Sequence, residues 1–149
     1  MKATAEKLDK LINKFETLLY DVSKKEFKRK HEGKWSKKEE LGHCIDSAEN
    51  NIRRFIVAQY EDEPIIVYKQ DYWVKANNYQ NFKIKELIRL WYFLNRQIVS
   101  ILNNMPSDKA QATCRSENVH TIEWLAEDYV KHMRHHLHHI LNLEPIPYP

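Results

Sequence analysis

Five of the eight histidines in this 149-residue chain fall in one stretch, KHMRHHLHH, as His132, His135, His136, His138 and His139. Imidazole binds divalent metals and titrates near neutral pH, so such density calls for a chemical explanation. Met133, Arg134 and Leu137 interrupt the run, and it lies inside the amphipathic pattern Ile122, Leu125, Tyr129, Met133, Leu137, Ile140. It is therefore part of a helix of the fold and not a purification tag. At about 100° per residue, only His132 and His136 border the apolar side chains of that helix. They are also an i, i+4 pair, which brings two imidazoles within reach of one ion. His135 and His139 repeat the spacing further toward solvent. A third ligand has to come from elsewhere in the chain. His31 and His120 lie in loops that fix no direction, and His43 lies near the start of a helix. Periodicity alone puts His43 opposite the Leu41, Ile45, Ile52 stripe, on the surface.

The elements that carry these residues read as helices. Only two glycines occur, Gly33 and Gly42, far fewer than the turns of an all-β chain need. Leu8, Leu11, Ile12, Phe15, Leu18, Leu19 and Val22 predict a first helix running to about residue 28, with Gly33 as its break. Ser36 followed by Glu39 is a capping box, and Leu41, Ile45, Ala48, Ile52 and Phe55 predict the second helix, stopped by Pro64. Residues 61–81 then read as a long connection, rich in aromatics, with one β-like run, IIVY, at 65–68. So long a connection is more often functional than idle. Ile84, Leu87, Ile88, Trp91, Leu94, Ile98, Ile101 and Leu102 predict a third helix ending before Pro106, and a polar loop leads to a fourth opening at Thr121. The expected fold is all-α: one four-helix bundle over residues 1–149.

The segment WSKKEELGHCIDSAENNIRRF, with Trp35, Ser36, Glu39, His43, Asp46 and Ser47 in this order, resembles the DinB-like superfamily, in particular its YfiT-like branch of metal-dependent proteins. YKQDYWV at 68–74 and YVKHMRHHLHHI at 129–140 are similar to that family's middle loop and last-helix HxxxH motif. The resemblance implies a four-helix bundle binding a divalent metal through three histidines, matched here by His43, His132 and His136. His139 stands where members commonly carry Gln, which leaves open a register using His135 and His139.

Three neutral imidazoles on a divalent cation leave a position for water, the arrangement of a catalytic metal. The ligand set suits zinc or nickel first, then iron or manganese. Asp128, four residues before His132, and Asp46, three after His43, are expected to orient ligand imidazoles. Tyr68, Tyr72 and Trp73 are expected to wall a pocket for a small-molecule substrate. Cys44 falls at the edge of an apolar stripe and reads as an inert small hydrophobe. The resemblance implies metal-activated transfer of a low-molecular-weight thiol to an electrophile as the leading chemistry, with metal-dependent hydrolysis and a non-catalytic metal-binding bundle as alternatives. No catalytic residue beyond the metal ligands is assigned.

Charge and composition narrow the partners. Residues 24–38 hold eight Lys or Arg against Glu26 and Glu32, while the whole chain carries only +3. That suits a phosphate or an acidic small molecule better than nucleic acid. No apolar run approaches a membrane span, and the first residues lack the pattern of a signal peptide. Two cysteines, Cys44 and Cys114, fit a reducing cytosol. An exposed apolar helix face would serve to pair two copies into a homodimer.

Overall fold

The computed structural model describes residues 1–148. Four long helices form the bundle: α1 (Lys2–Asp21), α3 (Lys37–Val57), α5 (Ile84–Asn104) and α6 (Ile122–Ile140). Two short helices, α2 (Lys24–Lys28) and α4 (Gln70–Asn77), and the strands β1 (Thr113–Arg115) and β2 (Val119–Thr121) lie in the connections. α5 and α6 each pack against both α1 and α3, so α1 and α3 occupy one diagonal of the bundle and α5 and α6 the other. The connections from α1 to α3 and from α5 to α6 therefore cross between diagonal corners. Trp91, Phe15, Phe55, Leu8 and Leu87 fill the middle. Among the described residues no helix is long and apolar enough to cross a membrane.

The long helices follow their stripes, and the capping box at Ser36 is present in full: Glu39 N–H donates to Ser36 Oγ at 3.2 Å and Ser36 N–H to Glu39 Oε2 at 2.8 Å. The first helix differs from the reading to residue 28. It ends at Asp21, Val22 is extended, and Ser23 caps a separate α2 by accepting from Glu26 N–H. Serine competes for the backbone and favours such a restart over helix continuation. Gly33 breaks no helix; with φ +68 it sits in the turn that Lys34 N–H closes onto His31 C=O at 3.1 Å. The second helix ends at Val57, well before Pro64.

Both irregular connections hold more structure than their sequences announce. Residues 61–81 contain α4 and a 3₁₀ turn at Tyr79–Asn81, and Ile65 in the β-like run bridges to Arg115. The polar loop before α6 carries the hairpin of β1 and β2, whose last residue, Thr121, caps α6 by accepting from Trp124 N–H. These pieces are too short for a periodicity of their own and are set by what they pack against.

Candidate metal centre

α3 lies against α5, α6, α4 and the 3₁₀ turn, so it is enclosed nearly all round. This overturns the surface position that periodicity gave His43, which is 1% exposed. Its ring faces α6, where His132 and His136 project one helical turn apart. His43 Nε2 lies 3.1 Å from His132 Nε2, and His136 Nε2 lies 3.1 Å from the same atom. The three ligand atoms fall within 4.8 Å of one another. Nitrogens bound at 2.0–2.1 Å in a tetrahedral shell stand roughly 3.3 Å apart, so the cluster has the dimensions of a metal site. His135 and His139 do not join it: His135 Nδ1 is bonded to Ile146 C=O at 2.6 Å, and His139 turns to Glu40.

The protonation pattern explains why the three nitrogens can face one another. His136 Nδ1 donates to Glu40 Oε1 at 2.8 Å, and His139 Nδ1 donates to Glu40 Oε2 at 2.6 Å. With a proton held on Nδ1, Nε2 is the nitrogen of His136 left to face inward. Burial pushes Glu40 up, but the bonds from His136 and His139 together outweigh it and hold the carboxyl below its ordinary range. Burial, aided by the neighbouring His136, lowers His43 to about 4, and burial with the adjacent imidazoles lowers His132 to about 2. Both rings are thus neutral at pH 7, the form a metal needs. Trp35 packs on His43 with ring centres 5.0 Å apart, and His43 Nδ1 is buried without a partner.

His132 opens onto a cavity of about 1040 Å³ between α3, α6 and the 61–81 connection. Ser47, Arg54, Tyr68, Tyr72, Asp128 and Tyr148 line it. Of the three aromatics expected there, Trp73 does not: it is half-buried behind Tyr68, with ring centres 5.6 Å apart. The orienting role expected of Asp46 and Asp128 falls to Glu40. Asp46 accepts from Tyr79 Oη at 2.5 Å and from Asn77 Nδ2 at 3.0 Å, and burial raises it to about 6. Asp128 accepts from Tyr148 Oη at 2.8 Å, and the Tyr148 ring covers His132 at 5.2 Å. Asp128 therefore reaches the imidazole only through that tyrosine. Glu40, three residues before His43 on the same helix, was detectable by the spacing used for Asp46, applied in the other direction. Cys44 is buried and its thiol is pushed well above the ordinary range by that burial, as an inert core residue requires.

A four-helix bundle with three convergent histidines between two of its helices defines a class, and the sequence places the chain within it. The chain belongs to the DinB superfamily, whose family model matches residues 7–140. It is similar to "Putative metal-dependent hydrolase BH0277" of Halalkalibacterium halodurans, 28% identical over 112 residues, which are 73% of this chain. The chain spans 65% of that relative's length, a little under two thirds. The fold is that of YfiT from Bacillus subtilis, described as a probable metal-dependent hydrolase with an unusual four-helix bundle topology. The TM-score is 0.79 at 19% identity, covering 93% of this chain and 84% of that one.

Proposed function

We propose that His43, His132 and His136 hold one divalent cation, zinc or nickel ahead of iron or manganese, and that the protein is a metal-dependent hydrolase. The observation that carries this reading is the convergence of three Nε2 atoms, with Glu40 fixing the His136 proton on the far side of its ring. A cation between the three Nε2 atoms would take a lone pair from each, whereas an N–H between any two serves only that pair. Bound there, such a cation supplies Lewis-acid polarisation and makes water a nucleophile near neutral pH. The chain's own groups do the rest. Of the carboxylates lining the cavity, Asp71, Glu117 and Asp128, we assign proton acceptance from water to Asp128, which lies one helical turn before His132. The Arg54 guanidinium is held by two bonds to Ile66 C=O, at 2.9 and 3.1 Å, and puts a fixed positive charge on the cavity wall. The Tyr148 ring limits water at His132.

Transfer of a low-molecular-weight thiol ranks second, supported by Arg54, Lys69 and Lys75 around the cavity, which suit an acidic thiol. The basic stretch at 24–38 does not line this cavity. The test is a panel of esters, amides and phosphate esters beside a thiol-plus-aromatic-halide assay, each with zinc-loaded, nickel-loaded and chelator-stripped protein. We expect hydrolysis that requires metal and disappears in His132→Ala. Metal-dependent transfer without hydrolysis moves the assignment to thiol chemistry; turnover indifferent to metal removal sinks both.

A further inference from the structure

A second cavity, of about 700 Å³, lies between α2, the start of α3 and the start of α5, and shares no lining residue with the first. Its apolar lining is Phe27, Phe82 and Ile84, and around these stand Lys24, Lys28, Lys38, Lys83, Lys85 and Arg89, with Glu86 the single acid. The nearby carboxylates are already paired: Glu26 with Lys37 at 3.1 Å, Glu39 with Lys30 at 2.6 Å, and Glu86 with Lys83 at 3.4 Å. Among the described residues Lys24, Lys28, Lys38, Lys85 and Arg89 have no carboxylate partner.

Lys38 is the unusual member. It is 2% exposed, and its Nζ donates to Gln80 C=O at 2.8 Å, a neutral acceptor that leaves the charge uncompensated. Tethering a backbone carbonyl needs a donor, not a buried cation beside Lys28. Burial, then the Lys28 charge, pushes the Lys38 ammonium below its ordinary range, so the charged state is held at a cost that an anion would remove. The exposed Lys24, Lys28, Lys85 and Arg89 complete a rim of positive charge that attracts an anion from solution.

We propose that this cavity binds a small organic anion, with its phosphate or carboxylate on Lys38 and Lys28 and an aromatic or short aliphatic body on Phe27 and Phe82. The site is independent of the histidine cluster and of the reaction assigned to it. The charge supplies attraction and position, and the apolar floor supplies discrimination against inorganic anions.

The experiment is isothermal titration of the full chain at constant ionic strength with phenyl phosphate, benzoate, inorganic phosphate and phenol. One of the two aromatic anions is expected to saturate a single site, at least tenfold tighter than inorganic phosphate, with no saturation by phenol; which one binds identifies the headgroup. Lys38→Met should weaken it tenfold or more, and the exposed variants Lys28→Gln and Lys85→Gln severalfold each. Those two keep the test open if the buried change harms folding. Lys7→Gln, on another face, should change nothing. Chelator-stripped protein should bind the anion equally well. Absence of saturation by either aromatic anion overturns the proposal, as does binding that ignores both Lys38→Met and Lys28→Gln. Inorganic phosphate matching phenyl phosphate overturns the apolar subsite, and loss of binding on chelation moves the anion to the histidine cluster.

Discussion

α3 and α5 have the same length, 21 residues, and pack side by side, yet they bury different things. α5 buries seven residues, Leu87, Ile88, Trp91, Asn95, Ile98, Val99 and Leu102, in one stripe at helical spacing. α3 buries fourteen, and eight of these are polar or charged, from Lys38 to Asn51. A helix whose work is cohesion spends its buried face on carbon. α3 instead hides His43, Glu40 and Asp46, each of which costs desolvation unless something answers its charge or lone pairs. On α5 the one polar residue among the seven, Asn95, donates to Trp91 C=O on its own helix at 2.8 Å and accepts from Tyr129 Oη of α6 at 2.6 Å, and the Trp91 indole N–H is buried without a partner. On α3 the two buried asparagines bond back to Asp46 C=O and Ser47 C=O, Glu40 and Asp46 are answered from other elements, and His43 Nδ1, Asp46 Oδ2 and Asn50 Oδ1 have no partner. The two helices thus separate what holds the fold from what the fold holds.

The sharpest way to break this contrast is a pair of truncations. Leu87→Ala on α5 should cost about 2–5 kcal/mol of stability, read by chemical denaturation, and leave the stoichiometry of bound zinc unchanged. His132→Ala should do the reverse, removing stoichiometric zinc in a metal analysis. Retention of metal in His132→Ala would break the division. A smaller effect is expected from Glu40→Gln. It keeps the shape but loses the charge that fixes two histidines, and zinc affinity by competition with a chelator should fall roughly 10–100-fold.

The smallest effect is on pH dependence, in chelator-treated protein. An unfolded histidine titrates near ~6.5, so the unfolded chain takes up two protons below that pH which buried His43 and His132, at about 4 and about 2, refuse. Stability should accordingly be level above about pH 6.5 and fall as pH drops toward 4, with these two groups contributing about 3 kcal/mol per pH unit at the steepest. Asp46 works the other way. Raised to about 6 in the fold against ~3.9 unfolded, it binds a proton preferentially in the native state between those values, offsetting part of the loss. Asp46→Asn should therefore steepen the fall between pH 6 and 4, measured by denaturation midpoints; a shallower fall would show that the sign is wrong.

The same contrast explains what could be read from the sequence. The stripes of α1, α5 and α6 and the Ser36 capping box were legible because apolar periodicity and helix caps are local. His132 and His136 were legible for the same reason, as two residues on the shoulder of one stripe. His43 could not be placed by periodicity, since a helix wall presented to several neighbours carries no stripe to measure against; only its surrounding motif pointed to it. Glu40 was missed because a glutamate in a first helical turn has an ordinary explanation in the helix dipole. Trp73 was misplaced because an aromatic-rich connection announces contact without direction. α4 and the hairpin were invisible because eight residues and three-residue strands are defined by their neighbours.

Gly42 joins the two halves of this picture mechanically. A Cβ at this position would lie 2.0 Å from the Tyr79 ring, which is pinned through its hydroxyl to Asp46 one turn further along α3. Gln80 donates to Ser36 Oγ at 2.6 Å and accepts from Lys38 on the same helix. The joint therefore has no slack: α3 cannot advance by one residue, a step of about 1.5 Å, or roll on its axis without driving its neighbours into that ring. His43 and the Gln80 carbonyl behave as points on one rigid lever, with the histidine cluster near one arm and the lysine-rimmed cavity at the other. Alanine at 42 would pry that lever apart at its fulcrum, loosening both ends at once although it touches neither.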